Sequence, residues 1–386
     1  MTDSVKSAQA LIEELQQNWE AFKAIGAEQP NSGGGIQSLL EEIVSKQLYS
    51  KETHFLLELI QNADDNRYIG VVPILDFTLR KDSLRIDCNE VGFTDSNVRA
   101  LCSFGQSTKS GSAHHIGEKG IGFKSVFKVA ATIYIHSCQF SFKFDGKQDL
   151  GNVTPIWCEF PAPVRHGHTS FLLELSEECD KTMITKELKA LDRTMLLFLR
   201  QLKQINVVID DEDGDMWQNT LSREDLKDRN NHVTRLWKNN TPSDYLIVHH
   251  KVENLPEMKQ RPGCSSSEIV LGFPILNVAE KPKRTQMVHA FLPIRDYGFK
   301  FLLQGDFVLT ANRQDIDDNA WNRTVRDGIA DAFAIAVGCF NDFSGFLQYQ
   351  WPYYLPGENM SDFFKPLINE IHLKLAHQPL TYMISE

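Results

Sequence analysis

Between residues 71 and 175 the strand-like stretches follow one another across short polar turns, without a helix inserted after each strand. That order constrains the fold most, because consecutive parallel strands need long crossover connections, which are usually helical. Residues 71–79 and 83–88 read as paired strands across Arg80, Lys81 and Asp82, with further strands expected at 131–137, 139–144, 156–160 and 169–175. Helical spacing of apolar residues is expected at 5–25, 36–49, 52–63 and 94–104, and 120–130 reads as a loop entering another helix. The pattern favours a layered α/β sandwich with substantial antiparallel content over a doubly wound sheet.

The second half repeats neither the order nor the motifs of the first. A helical pattern covers 181–204, a strand begins at 205–209, and later strands are expected at 245–250, 268–273, 286–292 and 301–310, before a helix at 321–337. The acidic run Asp210 to Asp215 lacks the spacing of a calcium loop and reads as a solvated hairpin turn. Lys281, Pro282, Lys283 and Arg284 read as an exposed loop. With 386 residues the chain can build two cores. The expected division is an N-terminal helix and linker at 1–35, one domain at 36–180, a second at 181–345, and an aromatic- and proline-rich packing extension at 346–386.

A formal charge of −11 gives no electrostatic support for nucleic acid as a partner, although a local basic patch stays open. Seven scattered cysteines, without a Cys-x-x-Cys pair, favour reduced thiols inside the cell, with cytoplasm and nucleus undistinguished. No signal core opens the sequence and no apolar stretch reaches 18 residues, so neither secretion nor membrane spanning is expected.

Two segments carry chemistry. In Glu58-Leu59-Ile60-Gln61-Asn62-Ala63-Asp64-Asp65, the residues Glu58, Asn62 and Asp65 fall at i, i+4 and i+7, on one side of a helix. Glu58 can polarise a water, and the Asn62 side-chain oxygen can ligate Mg²⁺ without adding charge beside a phosphate. A solvated acidic helix end is the plainer reading. In Gly117-Glu118-Lys119-Gly120-Ile121-Gly122-Phe123-Lys124-Ser125, glycines precede a helix start, a setting in which backbone amides can receive phosphate oxygens. A simple loop-to-helix joint is the alternative. The spacing fits neither a P-loop nor a dinucleotide fingerprint. His114 and His115 lack the neighbours that would complete a metal site.

Taken together with Cys88-Asn89-Glu90-Val91-Gly92-Phe93 and Ser107-Thr108-Lys109, these segments resemble the ATP-binding family of DNA gyrase, the ninety-kilodalton heat-shock chaperones, sensor histidine kinases and mismatch-repair ATPases. The likeness is closest to its sacsin and NO VEIN-like branch. The resemblance implies a Bergerat-type two-layer sandwich with a mixed, mainly antiparallel sheet at 36–180, followed by an α/β transducer-like domain. It also implies Mg²⁺-dependent ATP hydrolysis coupled to lid, interdomain or dimer rearrangement. A nonhydrolytic nucleotide-responsive scaffold and a nucleic-acid-associated regulatory ATPase are the alternatives.

By the same resemblance Glu58 activates the hydrolytic water, Asn62 holds Mg²⁺, and Asp65 lines the pocket. Gly117, Gly120 and Gly122, with the amides of Ile121 and Phe123, face the phosphates. Thr108 and Lys109 belong to a lid, and Thr169 matches a position near phosphate. Arg313, next to Asn312, is the candidate for a γ-phosphate contact; its plainer reading is an ion pair with Asp315 or Asp317. The chain departs from the family at the Asp-x-Gly-x-Gly segment, where Cys88 stands at the aspartate position and Glu90 at the first glycine. Asn89, with both donor and acceptor capacity, is the expected base reader. Asp87 should point away from Cys88 by strand alternation. Besides ATP and ADP, a homodimer or a protein client are the partners left open, and no membrane is expected.

Overall fold

The computed structural model describes residues 3–28, 54–103, 122–148, 150–210, 216–226, 233–276, 282, 284–310 and 314–376. It is a mixed α/β structure with mostly antiparallel strand pairing and two compact units. The first unit comprises residues 1–192 and 199–221. Its elements are α1 (Asp3–Glu28), α2 (His54–Asp64), β1 (Ile74–Leu79), β2 (Ser83–Cys88), α3 (Asp95–Leu101), a 3-10 segment (Gly122–Lys128), β3 (Ala130–Ser137), β4 (Phe140–Asp145), β5 (Ile156–Trp157), β6 (Thr169–Leu175), α4 (Lys181–Ala190) and β7 (Gln204–Asp210).

Within this unit the strands run β7-β1-β2-β6-β3-β4-β5, and the single parallel pair in that row is β1 with β7. Antiparallel register places Leu84 opposite Leu173, Ile86 opposite Phe171 and Cys88 opposite Thr169, so these six side chains share one face. Leu84, Ile86 and Leu173 are buried there. Asp87 and Ser170 pair on the other face, as alternation requires. Thr94 opens α3 through a capping box with Asn97.

Two boundaries differ from expectation for physical reasons. The helix expected over 181–204 stops at Ala190, where Leu191 leaves helical geometry at φ −55° and ψ 126°; a 3-10 segment follows at Arg193–Leu197, and the backbone N–H groups of Arg200, Gln201 and Leu202 then donate to the Asp64 carboxylate and not to helix carbonyls. The first unit also reclaims residues 199–221, since β7 pairs with β1. A boundary drawn near 180 therefore separates strands that belong together.

The second unit comprises residues 193–198 and 222–386. It contains β9 (Val233–Lys238), β10 (Thr241–Val252), β11 (Ser267–Pro274), β12 (Met287–Ala290), β13 (Leu292–Asp296), β14 (Leu302–Gly305), α5 (Ala320–Asn341) and α6 (Pro366–Ala376). The strand β8 (Met216–Asp225) crosses the division at Leu221. Helix α5 packs on β10 and β11, a close approach that depends on Gly328: a Cβ there would lie 2.5 Å from Val252 Cγ2. Phe273 is a hub, with Phe301, Phe333, Phe340 and Tyr354 around it. Trp351, Tyr354, Phe364, Leu367 and Ile371 are buried in this same core. The aromatic tail, expected to be packing material, is thus part of the core of the second unit. Among the described residues no helix is long and apolar enough to cross a membrane.

Candidate functional site

Helix α2 forms because Phe55, Leu56, Leu59, Ile60 and Ala63 recur at helical spacing and are all buried. That stripe fixes the rotation of the helix and leaves Glu58, Asn62 and Asp65 half-buried. Among the described residues the Asn62 carboxamide has no hydrogen-bond partner, which leaves a hard oxygen donor of the kind Mg²⁺ takes. The C-terminal end of α2 is tied down by Asp64, which is 1% exposed and accepts from the amides of Arg200, Gln201 and Leu202 at 2.8, 2.8 and 2.9 Å. Sequence spacing drew attention to Asp65, but its neighbour is the anchor.

Against α2 packs the 3-10 segment Gly122–Lys128, which is the described end of the glycine run. Phe123 is buried, its ring 5.5 Å from that of Phe171 on β6. Lys124 was not singled out by any motif, yet it is the strongest fixture of this segment. Its ammonium is buried, donates to the carbonyls of Leu101 at 2.5 Å and Asn152 at 2.6 Å, and lies 4.9 Å from the centre of the Phe144 ring. Burial lowers its pKa to about 8. A lysine inside the apolar run Phe123, Val126, Phe127 was the only sequence signal available. The structure thereby packs the helix that carries Glu58 and Asn62 against the segment that begins with Gly122 and Phe123. Thr108, Lys109, Gly117, Gly120, Ile121 and Arg313, with His114 and His115, lie outside the described residues.

At the base-side segment the candidates separate. Asn89 uses its carboxamide on the chain itself: Oδ1 accepts from Ile74 N at 2.8 Å and Nδ2 donates to Val72 O at 2.7 Å. Those bonds fix the entry to β1, so its expected base-reading groups are already engaged. Cys88 is buried with its sulfur 3.0 Å from the Tyr68 hydroxyl, which also donates to Ala63 O at 2.7 Å. Burial pushes the Cys88 thiol up to about 12, so it stays protonated near neutral pH. Asp87 lies on the opposite face, held by Arg85 at 2.8 and 2.9 Å and by the Ser170 hydroxyl at 2.5 Å.

Thr169, carried over from the family as a phosphate-side residue, sits with this base-side segment. Its hydroxyl donates to Glu90 Oε1 at 2.5 Å and lies 2.6 Å from Ser137 Oγ. Glu90 itself is buried. Gly92 follows at φ +92°, a conformation that favours glycine, and a Cβ there would meet Cys138 Sγ at 2.1 Å.

In the second unit, the two carboxylates offered above as partners of Arg313 have other bonds. Asp315 accepts from the Tyr297 hydroxyl at 2.5 Å and pairs with Arg295 at 2.9 Å, while Asp317 accepts from Asn319 Nδ2 at 2.9 Å. Thr310 N also donates to Asp315 O at 2.9 Å.

Comparison with known proteins supports the sacsin and NO VEIN branch of the resemblance. Residues 35–150 match the Sacsin domain family. Protein NO VEIN of Arabidopsis thaliana is 35% identical over 363 residues, covering 86% of this chain and 13% of that protein. Sacsin of Homo sapiens is 30% identical over 95 residues, covering 21% of this chain and 2% of that protein. The chain therefore spans a small part of the length of either relative. The Sacsin-domain match takes in α2, β1, β2 and the glycine run, the stretch that holds most of the candidate site.

Proposed function

We propose that the chain is a Mg²⁺-dependent ATPase with a Bergerat-type two-layer sandwich as its nucleotide unit and a transducer-like second unit. The observation that carries this reading is the packing of α2, with Glu58 and Asn62 on its less buried side, against Gly122–Lys128 at the end of the glycine run. A water-activating carboxylate, a neutral oxygen donor and a glycine-rich stretch of backbone amides are the parts that triphosphate hydrolysis needs.

In this reading Glu58 orients a water and accepts its proton as the oxygen bonds to the γ-phosphorus and the bond to the ADP oxygen breaks. Asn62 would hold Mg²⁺ through its side-chain oxygen, and the bound ion would neutralise phosphate charge. Amides of the glycine segment, Gly122 among them, stabilise the negative oxygens. Lys124 keeps the root of that segment fixed, and Asp64 keeps α2 from shifting away from it. Loss of the γ-phosphate on hydrolysis would release closure of the lid, the interdomain arrangement or a dimer.

The test is phosphate release by the full chain with ATP and Mg²⁺, beside Glu58→Ala. Turnover is expected to fall by about 10²-fold or more on loss of the base while ATP binding is largely kept. Binding without turnover by the unchanged chain would favour the nucleotide-responsive scaffold, and the absence of both would defeat the ATP reading.

A further inference from the structure

Seven large apolar side chains of the first unit are exposed among the described residues, and five of them lie in segments that meet. Phe22 is on α1 and Met216 opens β8, whereas Ile69, Val71, Val72, Val91 and Val164 gather at one corner of the sheet. Val91 N donates to Arg67 O at 3.0 Å, and the Asn89 carboxamide donates to Val72 O at 2.7 Å, so the 66–73 loop and the turn after β2 are tied together. Val91 and Val164 line one cleft. Exposure runs from 39% at Val164 to 63% at Ile69. Single apolar side chains in water need no explanation, but a contiguous group marks a place where another molecule sits.

Two features define the occupant. The first is the cleft, whose wall also holds His136, Cys138, Arg165 and His168. Its volume is about 150 Å³, and an apolar cavity of about that volume takes one benzene ring. Arg165 is held in the wall by Asp76 and Asp87. A guanidinium, imidazoles and a thiol among valines suit an aromatic side chain better than an aliphatic one.

The second feature is charge. The chain carries −11, yet the segments 66–73 and 199–204 hold Arg67, Arg200 and Lys203 and no carboxylate. These segments are neighbours, since Lys203 N and Gln204 N donate to Pro73 O at 3.0 and 3.2 Å. Asp65, which precedes the loop, is half-buried. The other carboxylates nearby are engaged: Asp64 with three amides, Glu90 with Thr169, and Asp76 and Asp87 with Arg165. An aliphatic loop bordered by cations is complementary to an acidic partner with apolar groups. An anionic lipid surface shares that chemistry, but it has no single side chain to fill a cleft.

We infer that this corner is a docking surface for an acidic protein segment that carries an aromatic anchor. The ring enters the cleft beside Val91 and Val164, and the acidic flank lies along the 66–73 loop.

The test is selection of a random peptide library against the full chain, followed by fluorescence anisotropy with the enriched peptides. Those peptides are expected to combine aspartate or glutamate with one aromatic residue, and to lose binding when that residue is changed to alanine. Affinity should fall by about tenfold or more in Ile69→Asp and in Val72→Asp. In Arg67→Glu it should fall by about 3- to 10-fold, with a weaker dependence on salt. Each variant changes an exposed side chain, and an unchanged urea midpoint shows that it folds. No enrichment, enrichment of basic peptides, or equal binding to the folded variants overturns the inference. Two further outcomes overturn it by supplying a different occupant. Without peptide enrichment, binding to phosphatidylcholine vesicles containing phosphatidylserine that Ile69→Asp abolishes makes the corner a lipid contact. A dimer in sedimentation that Ile69→Asp dissolves makes it a contact between copies of the chain.

Discussion

Replacing Asp64 tests how the candidate helix is held in place. The carboxylate is 1% exposed and serves three consecutive amides, with Oδ2 accepting from Arg200 N and Oδ1 from Gln201 N and Leu202 N. Asp64→Ala removes every acceptor at once. Each buried N–H left without a partner costs about 1–3 kcal/mol, and a small side chain leaves room for some rehydration, so a total loss of about 3–5 kcal/mol is expected. Asp64→Asn keeps one oxygen and the shape, but turns an NH₂ toward Arg200 N. One bond is lost and two donors oppose each other, for a cost of about 1–3 kcal/mol. Urea unfolding followed by a probe in the first unit should rank the proteins unchanged, Asn, Ala, with the midpoint falling at nearly constant slope. Hydrogen exchange should show the 200–202 amides losing protection in both variants. An Asp64→Ala protein within about 0.5 kcal/mol of the unchanged one would refute the reasoning, because that is the range of an ordinary surface change.

Further outcomes follow from other fixtures. Lys124 loses its proton near pH 8 in the folded protein and near its ordinary 10.5 when unfolded. Between those values the unfolded chain holds more protons, so this lysine makes stability rise with pH by about 3 kcal/mol, an increase that Lys124→Met should lack when both are unfolded at pH 7.5 to 10.5. Gly328→Ala should cost about 1–3 kcal/mol, read as a lowered melting temperature, because its Cβ meets Val252 at 2.5 Å. Asn322 is wholly buried and bridges Val308 N, Val308 O and Asp317 O, so Asn322→Ala should destabilise the second unit by about 2–4 kcal/mol in denaturant unfolding.

The sequence was most legible where burial is periodic. The strand expected at 169–175 matches Thr169–Leu175, and the helix expected at 321–337 lies inside Ala320–Asn341, because alternation and helical spacing each reflect a single buried face. The inward stripe of α2 was readable for the same reason. Contacts made by distant residues were not legible. Asp64 meets the amides of Arg200, Gln201 and Leu202 more than 130 positions away, a contact that keeps those residues out of a helix. The aromatics from Trp351 to Ile371 read as packing material without a simple period, and their partners, the core around Phe273, were not legible. At the candidate site, local pattern identified the segments but not the bonding within them. Asn89 has the right chemistry for a base and uses it on Val72 and Ile74, whereas Glu90 and Lys124 stand out only when strand ends and loops meet.

The most direct test of the central claim is calorimetric titration of ATP into the full chain with and without Mg²⁺, repeated with Asn62→Ala. A site in which Asn62 completes the ion's coordination predicts that Mg²⁺ raises ATP affinity in the unchanged protein and that most of this gain vanishes in the variant. A Mg²⁺ effect of the same size in both proteins, or ATP binding that ignores Mg²⁺ altogether, would contradict it.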